Sequence, residues 1–378
     1  MKLHNKIFCF LAVFAMVFVS AAPEDVVKAA QQGMHSFLNS IPEAMLSEYG
    51  FDSEEELEQC QLGAPFQLKT ITPNKLRSYN INDTVQSMTK DTGVWYFTIV
   101  CSGENKTILS VAKIDNQWQA VSLGNIPLAN QLQSIESTWA QNRGFSPQII
   151  VVYQAQQYFF HIPQLNENNL TAIQLRTKQA IDYHYVGAMD TIAKDLWQEV
   201  QKNMEPQRKF EEIANDNPTS FNATRKVLNL PQKYQKYNQW CWAGCSEAIF
   251  NYFNKNVQQE RIAQEGTRGQ NIWNWLWGVT NNPYRKGIRE LLSTWGLRSY
   301  GLNNRLSYND LQSEIAANKP VVVRWGWDNG GGHFVVCKGL SGNTSYIMDP
   351  WSGPTINSYN WLCRGNGHTW TSTLKVSR

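Results

Sequence analysis

A cysteine at the predicted start of a helix is the residue of this sequence best placed for nucleophilic chemistry. After Cys241 the apolar residues recur at intervals of three and four, namely Trp242, Cys245, Ile249 and Tyr252. The spacing predicts a helix with Cys241 in its first turn, where unpaired backbone N–H groups and the helix dipole favour an anion. Such a position favours a thiolate nucleophile.

A base and an acid follow Cys241 in the chain. His333 opens the apolar segment 333–337 directly after a glycine-rich turn, and Asp349 follows the apolar residues 346–348. Alone, such a histidine is more often structural, and an aspartate before proline is a common turn residue. A cysteine nucleophile needs a base, however, and the base needs an orienting acceptor. The order Cys…His…Asp therefore indicates a catalytic triad, with His368 as a weaker rival for the base.

An oxyanion donor is predicted just before the nucleophile. Gln235 lies six residues before Cys241, and its amide together with the Cys241 backbone N–H would form an oxyanion hole. Gln232 and Gln239 are neighbouring glutamines that make a surface role for Gln235 the competing interpretation. The six-residue offset favours Gln235.

The scaffold predicted for these residues mixes helices and strands. In the second half, helices are expected over 284–295 and 306–318, the latter capped by Ser307, and strands over 320–325, 333–337 and 346–349. Three tryptophans spaced by two are expected to pack in the core or line a groove: Trp273, Trp275 and Trp277.

The first half predicts a smaller α+β unit with an antiparallel sheet. Helical signals fill 24–60, with Asp52 or Ser53 as a cap, and recur over 128–139 and 171–204. Strands are expected over 94–101, 107–114, from Gln117, and as a hairpin of 149–153 with 157–162; Asp115-Asn116 is a predicted hairpin turn. This half offers no nucleophile–base pair, phosphate loop or metal-ligand spacing.

The N-terminus has the pattern of a secretory signal peptide. Lys2 and Lys6 precede an apolar run over 7–19, which ends in small residues up to Ala21. The run of 13 residues is short of the ~20 needed to span a bilayer, and no later stretch is long enough. Residues 1–21 are therefore predicted to be a signal peptide, and the protein to be secreted, extracellular or periplasmic, without a membrane span.

Charge divides the rest of the chain. Residues 22–225 hold 15 basic and 23 acidic residues, a net −8, whereas residues 226–378 hold 17 and 8, a net +9. Attraction between the halves explains this better than nucleic-acid binding. Between them, residues 206–230 contain prolines and paired basic residues, which predict an exposed, cleavable linker.

The seven cysteines of the chain also indicate whether its compartment is oxidising. Cys9 would leave with the signal peptide, and Cys60–Cys101 is the predicted disulfide in an oxidising compartment. The sequence leaves open whether Cys245, Cys337 and Cys363 pair.

The motifs around these residues resemble a known family. Trp240-Cys-Trp-Ala243, Gly331-Gly-His-Phe334 and Met348-Asp-Pro350 are similar to those of papain-like cysteine peptidases of the bacterial avirulence-effector and bacteriocin-processing type. The resemblance implies a two-lobed papain-like α+β domain over 231–378. It also implies that Trp351, two positions after the acid, shields the histidine pair from water. Papain itself has asparagine where this chain has Asp349, although aspartate is usual in the avirulence branch.

The function implied is a secreted cysteine endopeptidase that acts on a protein or peptide through a thioester, with no metal and no cofactor. Secreted relatives are commonly made with an inhibitory propeptide, so 22–205 is expected to be an intramolecular prodomain of a zymogen. The competing interpretation keeps 22–205 as a targeting or binding module. A transglutaminase or deamidase on the same triad and a non-enzymatic binding module are the alternatives to a peptidase.

Overall fold

The computed structural model describes residues 22–175, 186–204, 221–222, 224–278 and 285–378. The predicted signal peptide, Cys9, residue 284 and most of the predicted linker lie outside these ranges.

Short helices and long strands alternate along the described chain. The helices are α1 Glu24–Leu38, α2 Glu54–Glu58, α3 Pro73–Arg77, α4 Val85–Met88, α5 Ile126–Thr138, α6 Met189–Asn203, α7 Cys241–Tyr252, α8 Gln259–Thr267, α9 Ile288–Thr294, α10 Tyr308–Ala316 and α11 Tyr359–Cys363, with 3-10 turns at Glu43–Tyr49, Gln141–Arg143 and Tyr153–Ala155. The strands are β1 Gln61–Ile71, β2 Thr89–Cys101, β3 Glu104–Ile114, β4 Gln117–Gly124, β5 Gln148–Val152, β6 Gln157–His161, β7 Asn169–Ile173, β8 Val186–Ala188, β9 Lys226–Val227, β10 Arg298–Leu302, β11 Val321–Trp327, β12 Gly332–Ser341, β13 Thr344–Asp349, β14 Gly353–Ser358, β15 Arg364–Gly365 and β16 His368–Ser377.

The described strands join into one mixed sheet that runs through both halves of the chain. Its order is β10-β16-β11-β12-β13-β14-β4-β3-β2-β1-β5-β6-β7-β8, with β15 beside β16 and β9 beside β12. The α+β class is thus confirmed, but the separate, purely antiparallel sheet expected in the first half is wrong. β1 and β5 run parallel, and β4 pairs with β14 of the second half.

Several local predictions are confirmed at the level of single residues. Asp115 and Asn116 both have positive φ, as a two-residue hairpin turn between β3 and β4 requires. Ser53 accepts a hydrogen bond from the Glu56 N–H at the start of α2, and Ser307 accepts one from Asp310 at the start of α10. Side-chain capping of this kind satisfies N–H groups that a helix leaves unpaired.

The helix predicted over 171–204 is wrong in its first part. Residues Asn169–Ile173 form β7, which pairs with β6 so that Tyr158 lies opposite Ile173. Helix α6 begins only at Met189. Pairing with a neighbouring strand has overridden the helical periodicity, as tertiary context commonly does for short apolar runs.

The two halves also share their apolar cores. Tyr346 and Ile356, from β13 and β14, are buried in the cluster that α1 forms with β2, β3 and β4. Across the same boundary, the fully buried Lys338 ammonium of β12 pairs with the Glu48 carboxylate at 2.6 Å. Opposite charge is therefore used at least once to join the halves.

The predicted disulfide is confirmed: Cys60 and Cys101 are bonded, with an S–S distance of 2.00 Å. Four described cysteines are free thiols, namely Cys241, Cys245, Cys337 and Cys363. Among the described residues, no helix is long and apolar enough to cross a membrane.

Candidate active site

Helix α7 begins at Cys241, and no side chain caps its first turn. The helix packs its apolar face against β12, in a core that includes Phe334 and Val336. One turn further on, a Cβ at Gly244 would lie only 2.8 Å from the Pro350 Cβ. Glycine at this position lets the helix approach the segment that follows Asp349.

His333 lies between a sulfur and a carboxylate. It begins the buried part of β12 and faces Trp325 of β11. Its Nε2 donates to Asp349 Oδ1 at 2.7 Å, and the Cys241 sulfur is near enough to its ring to raise the pKa of the imidazole. The structure therefore brings together the three residues that the sequence placed in a triad.

Asp349 is held at the end of β13 by donors other than histidine. Its Oδ1 accepts the Trp351 backbone N–H at 2.7 Å, and its Oδ2 accepts the Ser352 hydroxyl at 2.5 Å. Burial raises the pKa of Asp349, but the His333 charge and these hydrogen bonds outweigh burial and lower it below its ordinary value. The carboxylate is ionised at neutral pH, as an orienting acceptor must be.

Burial lowers the pKa of His333, and the neighbouring Asp349 carboxylate and Cys241 sulfur more than offset this and raise it to about 10. The charges around the ring thus favour the imidazolium. An imidazolium next to a sulfur favours the thiolate form of a cysteine nucleophile.

Gln235 is buried, and its backbone lies next to Gly244 of the helix that begins at Cys241. Its backbone N–H donates to the Pro350 carbonyl at 2.8 Å, which ties the loop before Cys241 to the segment after Asp349. Its side-chain Nε2 donates to the Tyr237 carbonyl at 3.0 Å and to Gln156 Oε1 at 2.6 Å. The Gln235 amide therefore already donates to the side-chain carbonyl oxygen of Gln156, a residue of the first half of the chain.

Tryptophans enclose the imidazole. The Trp351 ring stands edge-on to His333 at 6.0 Å between centroids, and Trp327 lies parallel to it at 6.1 Å. Trp351 is stacked in turn on Tyr158. The Asp349–His333 pair is buried beneath these rings, and the shielding role of Trp351 stays a prediction.

His368, the rival base, lies elsewhere in the same aromatic cluster. Its Nε2 donates to the Trp361 carbonyl at 2.9 Å, and burial lowers its pKa to about 4. Because the ring is neutral and its N–H already donates to a backbone carbonyl, His368 has a structural role here.

The three clustered tryptophans of the second half lie in irregular backbone and pack as expected. Trp275 is buried beneath the Arg324 guanidinium, which lies 4.3 Å from its ring centroid. Arg285 lies in the same way over Trp273, at 4.4 Å. Of the titratable residues in the described part of the chain, no group of three could hold a metal ion.

Sequence reasoning missed the residues of the first half that reach this site. Gln156, in the turn between β5 and β6, places its side-chain amide against both Gln235 and His333. Asn203, the last residue of α6, accepts the Gly332 N–H at 2.9 Å and donates to Gln239. No spacing rule connects either residue to Cys241, so the sequence carried no signal for them.

An imidazole that is bonded to a carboxylate and lies next to a thiol defines the class of site used by thiol hydrolases. The family described as "Papain-like cysteine protease AvrRpt2" matches residues 224–363. The match confirms the resemblance seen in the motifs and the prediction of a cysteine-type peptidase.

Solved structures of peptidases are also similar to part of the chain. A double glycine motif protease from an AMS/PCAT transporter, solved in complex with the leader peptide, shares 20% identity over 42% of this chain and 98% of its own, with a TM-score of 0.29. A putative C39-like peptidase from Bacillus anthracis shares 17% identity over 41% of this chain and 98% of its own, with a TM-score of 0.30. The peptidase domain of Streptococcus ComA shares 15% identity over 39% of this chain and 98% of its own, with a TM-score of 0.29. A search of curated proteins found no match.

Proposed function

We propose that the chain is an exported cysteine endopeptidase that is made as a zymogen and hydrolyses peptide bonds through Cys241, His333 and Asp349. The observation that carries the proposal is the position of the His333 ring, between the Cys241 sulfur and the Asp349 carboxylate. Its Nε2 donates a hydrogen bond to Asp349, which leaves Nδ1 for proton transfer with the sulfur.

The reaction follows from these positions. The Cys241 thiolate attacks the peptide carbonyl, and the oxyanion accepts hydrogen bonds from Gln235 Nε2 and the Cys241 backbone N–H. His333 Nδ1 gives its proton to the leaving amine, and a thioester remains on Cys241. His333 then takes a proton from water, which attacks the thioester and releases the acid. Asp349 orients the ring and stabilises its charge throughout.

Hydrolysis of casein, measured as new primary amines, tests this function on the secreted protein. Cys241→Ala is expected to lower the rate by about 10⁴-fold or more. The matched control is Cys363→Ala, because Cys363 is a half-buried thiol whose sulfur lies 3.9 Å from Arg305 Nη1, and its loss should leave the rate unchanged. Equal rates for Cys241→Ala and the unaltered protein would reject the assignment.

The zymogen proposal is supported by opposite net charge in the two halves and by side chains of the first half within the site. Cleavage is proposed within residues 206–230, after the signal peptide 1–21 has been removed on export. The Cys60–Cys101 disulfide is consistent with an oxidising compartment. The mass of the secreted active protein is the test: full activity at uncleaved length would reject the proprotein and favour a retained module.

One observation favours a second candidate, a glutamine deamidase or transglutaminase. The Gln156 carboxamide lies where such an enzyme would hold its acyl donor, with Oε1 on Gln235 and Nε2 beside His333 Nδ1. In that reaction the sulfur bonds to Cδ, the Cδ–Nε2 bond breaks, ammonia leaves with a proton from His333, and water or an amine takes the acyl group. Ammonia release from glutamine donors without new amines from casein would select this candidate.

A further inference from the structure

The turn between β5 and β6 has a strained backbone at the residue that enters the site. Residues Tyr153–Ala155 form a 3-10 turn, and Gln156 after them has φ 49° and ψ 52°. Left-handed backbone is unfavourable for a side chain such as glutamine and persists only where surrounding contacts hold it. We call residues 153–156 the cleft turn.

The contacts that hold Gln156 are those of a substrate amide. Its Oε1 lies 2.6 Å from the Gln235 amide nitrogen, the predicted oxyanion donor. Its Nε2 lies 3.1 Å from His333 Nδ1, where a leaving amine would receive its proton. One carboxamide thus occupies both the oxygen and the nitrogen positions of a scissile amide.

The same carboxamide competes with the thiolate–imidazolium pair. Nε2 of His333 already donates to Asp349, so Gln156 Nε2 donates to Nδ1 only while Nδ1 carries no proton. In the reactive state Nδ1 holds a proton next to the Cys241 sulfur. This hydrogen bond therefore works against the Asp349 and Cys241 charges, which favour the imidazolium. Gln156 thus opposes activation of the cysteine, in addition to filling the space.

The cleft turn also contacts both sides of the entrance to the site. Gln154 Nε2 donates to the Gly330 carbonyl at 2.9 Å, next to the histidine strand. On the cysteine side, Asn238 Nδ2 donates to the Ala155 carbonyl at 3.3 Å, and Gln239 Nε2 donates to the Gln154 carbonyl at 3.2 Å. The turn lies across the cleft between the nucleophile loop and the base, where a substrate backbone would lie.

We propose that the Gln156 carboxamide is a built-in substitute for a scissile amide, and that the cleft turn shields Cys241 until it is withdrawn. The inference rests on the proposed thiol chemistry of Cys241. It goes beyond a general prodomain because it assigns the inhibition to one side chain on a hairpin turn. The rest of the first half then need not leave for the site to open.

The test compares the rate at which iodoacetamide alkylates Cys241 in uncleaved, full-length variants, measured by intact mass and peptide mapping. Gln156→Asn is the main variant, because asparagine tolerates left-handed backbone while its amide is one methylene too short to reach both partners. Gln156→Gly is the second, since it removes the amide and relieves the strain. The matched control is Gln157→Ala, the next residue along, which is half-buried and pairs with Val152 across the hairpin.

Both Gln156 variants are expected to be alkylated at Cys241 about tenfold faster than the unaltered chain, the effect of losing hydrogen bonds of ordinary strength. Gln157→Ala should react at the unaltered rate. Equal rates in all four proteins would overturn the inference, and hydrolysis of casein by the unaltered chain would then still leave the peptidase assignment standing. Faster alkylation of the Gln156 variants without hydrolysis, even after linker cleavage, would support the shielding and reject the peptidase.

Discussion

Two of the places where the first half of the chain meets the second half differ in chemistry. At the first, which we call the sheet seam, residues 122–124 of β4 pair with residues 355–357 of β14. A Cβ at Gly124 would lie 2.6 Å from the Pro354 carbonyl oxygen, so the strands approach as closely as backbones can. At the second place, the cleft turn, the contacts near Cys241 are hydrogen bonds made largely by amide side chains.

The difference indicates which contact is permanent. Backbone ladders and buried side chains such as Ile356 lose their stabilisation when separated, because apolar surface returns to water. Amide hydrogen bonds can be exchanged for bonds to water at a net cost of only about 1 kcal/mol each. The sheet seam therefore suits a lasting connection, and the cleft turn suits one that opens.

The largest expected effect is at the sheet seam. We expect the two halves to stay together after a protease cuts within residues 206–230, and to elute as one species in size-exclusion chromatography. Ile356→Asp buries an unpaired carboxylate at 0% exposure and should destabilise the seam by about 3–5 kcal/mol. The cut variant should separate.

Ile356→Val is the matched control for that experiment, with a cost of only about 1 kcal/mol. Separation of the unaltered halves on cutting would contradict the account, because the seam would then be no stronger than the cleft contacts.

The next effect concerns the pH dependence of stability. Burial lowers the pKa of His333, but Asp349 and Cys241 raise it from 6.5 to about 10. The folded chain therefore binds a proton that the unfolded chain releases between these values, so the stability from this proton is present below pH 6.5 and is lost as the pH rises through about 10. The free energy of unfolding should fall by about 2–4 kcal/mol over this window.

Asp349→Asn removes the carboxylate that raises the pKa, so this variant should lose much less stability between pH 6.5 and 10. Urea unfolding at several pH values measures the difference. Parallel pH profiles for both proteins would show that the pair does not hold the proton.

A smaller effect is expected at the end of α6. Asn203→Ala removes the acceptor of the Gly332 N–H and the donor to Gln239, at a cost of about 1–2 kcal/mol in the free energy of unfolding. It should also speed alkylation of Cys241, because Asn203 helps hold the first half over the cleft. If the stability changes but the alkylation rate does not, the cleft turn alone shields Cys241 and Asn203 has no part in it.

The smallest effect is expected at a polar contact between the halves that involves none of the proposed catalytic residues. Asn366 Nδ2 donates to the Thr92 and Gly93 carbonyls, at 3.1 Å each. Asn366→Ala should cost about 1 kcal/mol and leave the alkylation rate of Cys241 unchanged. Alkylation as fast as in Asn203→Ala would mean that loosening any contact between the halves opens the site.

Local sequence signals predicted those features of the fold that depend only on residues adjacent in the chain. The turn at Asp115-Asn116, the cap at Ser307 and the helix start at Cys241 each need only a few adjacent residues, and all are present. The order Cys…His…Asp was also readable, because each residue adjoins a strong local element. The structure then places His333 next to both Asp349 and Cys241.

Contacts between distant residues were not readable in the same way. β1, an 11-residue strand, was not predicted, and its pairing with both β2 and β5 is decided by tertiary packing. The seam between β4 and β14 joins residues more than two hundred positions apart, and nothing in either strand specifies its partner. Gln156 is one glutamine among several in its segment, and only the fold brings it to His333.

The most direct test of the central claim is covalent labelling of the nucleophile. Linker-cleaved protein is treated with a thiol-directed peptide epoxide and analysed by intact mass and peptide mapping, with Cys241→Ala beside it. We expect one adduct, on Cys241, with parallel loss of casein hydrolysis, and no adduct in the variant. Hydrolysis that persists after Cys241 is fully labelled, or an adduct on Cys363 in its place, would contradict this expectation.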